Sequence, residues 1–254
     1  MPEGDTIHRV AARLQPVLVG HALVRLEAPR AAGPHPPVGT LVESVEAVGK
    51  HLLIVFADGV VLRTHLRMSG SWHLYRTGER WRKPAHLMRA LVEVDGWVAV
   101  CFSAPVVELG RSPSVGHLGP DLCRPDADVD ECVARMVTVA SPDAELADVL
   151  LDQRIACGVG NVYKSEVCWA CRISPRTPIG SVDEPTRRAL IQTAARQLRA
   201  NLGGGARQTV AGAPGSLAVY GRAGQPCRRC GAEVRTRRQG EQARSTYWCP
   251  GCQR

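Results

Sequence analysis

No stretch of this chain is long and apolar enough to cross a membrane. Its first twenty residues hold Glu3 and Asp5 and no continuous apolar run, so they do not read as a secretion signal. Helical crossovers between the strand-like segments are missing, which argues against βαβ units and a parallel sheet. There is no internal repeat. Ten cysteines would suit a disulfide scaffold only in a short secreted chain, and nothing points to secretion. The expectation is a soluble, cytoplasmic protein with reduced thiols, no membrane attachment and no small-molecule cofactor.

What is present is positive charge. The 254 residues have room for one large domain or two modest ones, and a hydrophobic fraction of 44% supplies a core. The formal charge is +8 and the isoelectric point about 9.2. Such a balance suits a polyanionic partner, because Lys and Arg neutralise phosphates and release counterions. Most of the surplus sits at one end. Arg222, Arg228, Arg229, Arg235, Arg237, Arg238, Arg244 and Arg254 face only Glu233 and Glu241, a surplus of +6 in the last 33 residues.

The pattern along the chain changes twice. Val10, Leu14 and Leu18 recur at helical spacing, Glu3 and Asp5 suit the positive end of the helix dipole, and Gly20 is a stop. From Ala22 to about Leu109 short apolar runs follow one another, among them Leu52 to Phe56, Val60 to Leu62 and Trp97 to Phe102. Asp58-Gly59 and Asp95-Gly96 are hairpin dipeptides that tolerate positive φ, and residues 33–37 read as a loop. An antiparallel sheet or sandwich fits. From about Asp128 to Leu202 the pattern is helical. Leu190, Ala194, Leu198 and Leu202 line one face, with Asp183 as cap and Pro185 in the first turn. Two helical stretches between Ala147 and Cys171 flank Gly158-Val159-Gly160-Asn161. Gly203 to Gly205 close this region, a glycine-rich stretch to Gly224 reads as a mobile loop, and the tail from Pro226 is a separate small unit.

Cys227-x-x-Cys230 and Cys249-x-x-Cys252, with 18 residues between the pairs, have zinc-site spacing. Each pair can place two thiolates on a tight turn, and a hairpin between them closes the tetrahedron. The tail has few large apolar residues, so metal binding would supply its folding energy. One structural Zn2+ is expected. Its arginines would then stand on a zinc-stapled hairpin, a tool for a DNA groove or backbone. Redox pairs need a thioredoxin-like context that is absent. Cys168-x-x-Cys171 lies in a helical stretch beside Trp169 and reads as buried structural cysteines.

Pro at the start of a helix needs no functional explanation. Its position directly after Met1 is more informative. Removal of Met1 would expose a secondary amine, a nucleophile able to form an iminium with a sugar aldehyde carbon. Glu3 beside it could act as a general acid/base.

Taken with the tail, these residues identify the chain as resembling the formamidopyrimidine-DNA glycosylase/endonuclease VIII family along nearly its whole length. The matching stretches are Pro2-Glu3-Gly4, Gly49-Lys50-His51-Leu52-Leu53, Leu151-Asp152-Gln153, Gly158 to Glu166, Val219-Tyr220-Gly221-Arg222 and the cysteine tail. The resemblance implies an α+β fold in three parts. These are an N-terminal antiparallel β-sandwich with a flanking helix (1–120), a helix–two-turn–helix domain (121–215) and a C-terminal zinc-finger β-hairpin (216–254).

It also implies roles. Pro2 would attack C1′ of a damaged nucleotide and form a Schiff base, and Glu3 would assist sugar-ring opening. Lys50 would engage the lesion-site phosphate, Asn161 the DNA backbone, and Arg244 phosphates at the lesion. Arg67 and Met68, in His65-Leu66-Arg67-Met68-Ser69-Gly70, align with the loop that fills the void left by the everted base. Each has a plainer reading: a strand-edge lysine, an asparagine stopping a helix, a solvated arginine, a core methionine. Glu166 falls in a matching stretch but reads as helix-positioning or core-polar rather than catalytic.

The implied activity is a bifunctional DNA glycosylase/AP lyase of base-excision repair, acting on damaged DNA as a monomer near the nucleoid. The purine-directed branch carries an Asp-x-Arg-x-Phe-Gly type loop. Cys101 to Leu109 here has neither its arginine nor its aromatic wedge and, with Gly119-Pro120-Asp121 and Tyr247 to Cys252, looks closer to endonuclease VIII. Oxidised pyrimidines are therefore the expected substrates. Purine lesions are the alternative within the family, and a catalytically silent DNA-binding protein is the alternative outside enzymes. A zinc-ribbon RNA-binding protein would explain the tail but not Pro2-Glu3.

Overall fold

The computed structural model describes residues 2–112, 114–240 and 243–254. The chain divides into two compact units, Met1–Gly116 and His117–Arg254.

The first unit opens with α1 (Gly4–Leu18), whose Ile7, Ala11, Leu14 and Leu18 form one buried stripe. Eight strands follow: β1 (Leu23–Glu27), β2 (Val42–Val48), β3 (His51–Phe56), β4 (Val61–His65), β5 (Ser71–Arg76), β6 (Met88–Val94), β7 (Trp97–Phe102) and β8 (Val106–Gly110). They make two antiparallel sheets, ordered β2-β3-β4-β8 and β1-β6-β7-β5. Side chains of both sheets and of α1 share one core, including Ile7, Leu14, Ile54, Phe56, Leu62, Trp72, Val92 and Ala99. This is the expected sandwich with its flanking helix.

Alternation along β6 and β7 sends Leu91, Val98, Val100 and Phe102 to the opposite face, with Tyr75. Trp81, Leu87 and Met88 cover them. Both faces are thus covered there, which is why β7 reads as a continuous apolar run. The two Asp-Gly pairs form turns as expected: Gly59 and Gly96 adopt φ of 82° and 73°, and Asp58 accepts the N–H of Val60 at 3.0 Å.

The second unit contains α2 (Val129–Thr138), α3 (Leu146–Val149), α4 (Asn161–Ala170), α5 (Glu184–Ala200) and a hairpin of β9 (Arg235–Gln239) with β10 (Arg244–Trp248). Asp128 and Asp183 cap α2 and α5 by accepting backbone N–H groups of Glu131 and Thr186. Leu190, Ala194 and Leu198 are buried as the periodicity requires, and Leu202 packs against the same core.

The expected first helical stretch after Ala147 shrinks to the single turn of α3. Gln153 explains the irregular path that follows. Its amide donates to the carbonyls of Leu151 and Val159, and its oxygen accepts the N–H of Gly158, which has φ 105°. The glycine-rich stretch after α5 is irregular, as expected, but pinned. Asn201 bonds Gln208 twice, through 2.8 and 2.9 Å contacts.

Leu14 has no exposed surface. Leu14→Ala is expected to destabilise the first unit by about 2–5 kcal/mol, read as a lower urea midpoint.

Candidate functional site

Pro2 is half-buried and lies outside α1, whose N-cap is the extended residue Glu3. The carbonyl of Glu3 accepts from Thr6 and Ile7, so the helical bonds begin without proline. The ordinary reason for a proline in the first helical turn does not apply here. The side chain of Glu3 does not cap the helix, yet it is fully buried, as is Asp5. Two carboxylates thus sit inside the protein at the positive end of the dipole. Helix α1 packs on β2 and β3, and the turn joining those strands carries Lys50.

Lys50 is half-buried and follows Gly49, whose φ of 57° makes the turn. His65, opposite His51 at the far end of the β3–β4 ladder, is close to it. Burial, then the charges of Lys50, Arg67 and Arg63, lower the pKa of His65 to about 4. The ring is therefore neutral at physiological pH. Arg67 is exposed in a left-handed conformation, φ 44°, and Met68 is 76% exposed. Met68 is not a core residue. Lys50 and Arg67 are brought together around His65.

In the second unit, Asn161 is the first residue of α4 and is buried. It starts a helix rather than stopping one in the left-handed conformation. Its Nδ2 donates to the carbonyl of Ser245 at 2.8 Å, the residue after Arg244. Arg244 is half-buried at the start of β10. The hairpin is fastened nearby by Tyr247 N–H to Ser165 Oγ at 3.4 Å and by Gln239 to the carbonyl of Pro175 at 3.0 Å. Arg237 adds two 2.7 Å bonds to the carboxylate of Glu145.

The four tail cysteines converge: their sulfurs all lie within 4.8 Å of one another. Cys227 to Cys252 is 3.8 Å and Cys230 to Cys249 is 3.5 Å. A tetrahedron with metal–sulfur bonds of about 2.3 Å has edges of about 3.8 Å, so the donor set fits zinc. Gly251 closes the cradle, since a Cβ there would lie 3.1 Å from both Cys230 Sγ and Ala232 Cβ. Trp169 donates its indole N–H to Cys227 Sγ at 3.4 Å. Cys168 and Cys171 stand apart from this group, and burial raises both of their pKa values.

Several arginines of the tail also make contacts with the protein's own backbone. Arg222 and Arg228 bond the carbonyls of Ala218 and Leu217, and Arg229 bonds that of Trp169 while lying 3.8 Å above its ring. With Arg237 engaged by Glu145, the arginines left facing solvent on β9 are Arg235 and Arg238.

Glu166 is an anchor. It is fully buried and accepts from Thr209 Oγ1 and from the backbone N–H groups of Ala218, Val219 and Tyr220 at 2.7, 2.9 and 2.8 Å. This carboxylate ties Thr209 to residues 218–220 within the stretch between α5 and the cysteine tail. Its partners lie 43 to 54 residues away, so no local spacing could reveal them.

Sequence comparison fits this geometry. The formamidopyrimidine-DNA glycosylase N-terminal domain matches residues 1–105, and the H2TH domain of the same family matches residues 118–211. The chain belongs to the formamidopyrimidine-DNA glycosylase family. A probable endonuclease 8 2 from Streptomyces coelicolor is 40% identical over all of this chain and 94% of its own length. The DNA-(apurinic or apyrimidinic site) lyase Nei2 of Mycolicibacterium smegmatis is 39% identical, covering 100% and 99%. A Lactococcus lactis formamidopyrimidine-DNA glycosylase, solved non-covalently bound to DNA containing an AP site, has the same fold. Its TM-score is 0.82 at 22% identity, over 99% of each chain. Within the family, Pro2-Glu3 stands at the head of the N-terminal domain, and Asn161 opens α4 in the H2TH domain.

Glu166→Ala strands four donors. Each unsatisfied buried donor costs about 1–3 kcal/mol, so a loss of at least ~3 kcal/mol is expected, with faster proteolysis between residues 203 and 217. Urea unfolding and limited proteolysis read the two effects.

Proposed function

We propose that the protein is a base-excision DNA glycosylase with AP lyase activity, using the N-terminal amine of Pro2 and favouring oxidised pyrimidines. Full-length family membership supports the activity class. The observation that carries the mechanism is Pro2 standing free of the helical turns of α1, beside a buried carboxylate.

Once Met1 is removed, the Pro2 nitrogen attacks C1′ of an everted nucleotide and the damaged base leaves. Glu3 delivers a proton to the ring oxygen as the sugar opens, and the C1′–N bond becomes an iminium. The iminium acidifies the C2′ protons. Loss of one expels the 3′ phosphate, a second elimination expels the 5′ phosphate, and water releases Pro2. The amine must be neutral to attack, and the cationic Lys50 favours that form.

Lys50 engages the lesion-site phosphate. Asn161 and Arg244, joined through Ser245, bind backbone phosphate as one element. Arg67 and Met68 enter the space left by the base. Cys227, Cys230, Cys249 and Cys252 hold one structural Zn2+, whose chemistry is to fold the tail rather than to react. The working division is a catalytic sandwich at 1–120, a helix–two-turn–helix part at 121–215 and a zinc finger at 216–254. The protein acts on damaged DNA as a monomer without a small-molecule cofactor, in the cytoplasm beside the nucleoid. Among the described residues no helix is long and apolar enough to cross a membrane.

The lesion preference rests on residues 101–109. Phe102 is fully buried against Trp81 and His73, so it is no wedge. Only Ser103, Ala104 and Pro105 link β7 to β8. No arginine is present there to read the opposite base. Weak dependence on that base follows.

Two outcomes are expected. A duplex carrying thymine glycol should be cut faster than one carrying 8-oxoguanine opposite cytosine, leaving a one-nucleotide gap with phosphate at both ends. Faster purine excision would move the protein to the other branch, and tight binding without cleavage of either would make it a silent binder. The purified protein should contain one equivalent of zinc by elemental analysis. Cys249→Ser should lose the metal and expose the tail to protease.

A further inference from the structure

The segment between β4 and β5 is built around one imidazole. Leu66 is buried, and Gly70 N–H donates to its carbonyl at 2.9 Å. A Cβ on Gly70 would lie 2.7 Å from the Cα and the oxygen of Leu66, so the base of the loop closes only on glycine. Ser69 Oγ ties the exit to the carbonyl of Ser103 at 3.0 Å. The tip, Arg67-Met68, stands in solvent. Arg67 holds a φ of 44°, which an L residue adopts only under constraint. That constraint is a hydrogen bond: His65 Nδ1 accepts the N–H of Arg67 at 3.2 Å.

We propose that His65 is a positioning residue that fixes the left-handed turn at Arg67 and so sets the approach of Met68 to DNA. The ring is itself held. His51 meets it edge-on at 4.8 Å, Arg63 donates to His51 Nδ1 at 2.9 Å, and Glu108 of β8 pairs with Arg63. The His51 ring that meets the imidazole is thus backed in turn by β4 and β8. Only a neutral ring can accept at Nδ1, and burial with the neighbouring cations of Lys50, Arg67 and Arg63 keeps it neutral. The inference rests on the assignment of Arg67 and Met68 to the space left by an everted nucleotide.

The test compares wild type, His65→Ala, His65→Asn and Met68→Ala in single-turnover cleavage of an abasic site, placed in a duplex or in a single strand. A single strand has no stack to refill. His65→Ala should slow duplex cleavage about five- to tenfold, the weight of one hydrogen bond, and leave single-strand cleavage within about twofold. Asn places an amide oxygen where Nδ1 was, so His65→Asn should restore the duplex rate to within about twofold. Met68→Ala should slow duplex cleavage as His65→Ala does. Equal losses on both substrates, or no rescue by Asn, would overturn the positioning role. A slow Met68→Ala beside an unaffected His65→Ala would overturn this inference alone. An unaffected Met68→Ala would remove the void-filling assignment and the inference with it.

Discussion

Helix α4 has almost no exposed surface: Asn161 to Cys168 are all buried. Buried polar groups must find partners within the protein, and α4 carries several. Asn161 takes the carbonyl of Ser245, Ser165 the N–H of Tyr247, Glu166 the backbone at 218–220, and Trp169 the sulfur of Cys227. One short helix therefore fixes the hairpin, the loop after α5 and a sulfur of the four-cysteine cluster at once. A carboxylate buried with four donors is stable; the same carboxylate with one donor missing is not. The position of Arg244 follows from this constraint, because its neighbour Ser245 hangs on the first residue of α4.

The first unit is organised differently. Its core is largely apolar and continuous between the sheets, and the residues assigned to DNA chemistry stand at the ends of elements. Pro2 and Glu3 stand at the head of α1, Lys50 at a turn fixed by Gly49, and Arg67-Met68 on a loop closed by Gly70. Two of these places turn on a positive φ, at Gly49 and at Arg67. The low pKa of His65 follows first from burial of the ring and then from the cations beside it.

Much of this was legible because its causes are local. Asp-Gly pairs dictate hairpins, Asp183 with Pro185 dictates a helix start, and the cysteine spacing dictates a four-sulfur cluster. What stayed hidden depends on partners distant in sequence. The irregular path after α3 is held by the amide of Gln153. The arginines of the tail read as one solvated set, yet Arg222, Arg228 and Arg229 also bond backbone carbonyls, and Arg237 pairs with Glu145. Met68 could equally have been core from its residue type; the loop that closes at Gly70 and turns at Arg67 leaves it 76% exposed. Pro2 looks like an ordinary helix-starting proline until the helix is seen to begin without it.

Pro2 as nucleophile is the claim on which the mechanism stands. The direct measurement is to reduce a reaction on abasic DNA with borohydride, digest the protein and locate the sugar remnant by fragmentation mass spectrometry. The remnant should lie on the Pro2 nitrogen of protein lacking Met1, and none should form where Met1 is retained. A remnant on Lys50, Lys83 or Lys164, or one that forms with Met1 in place, would contradict the account.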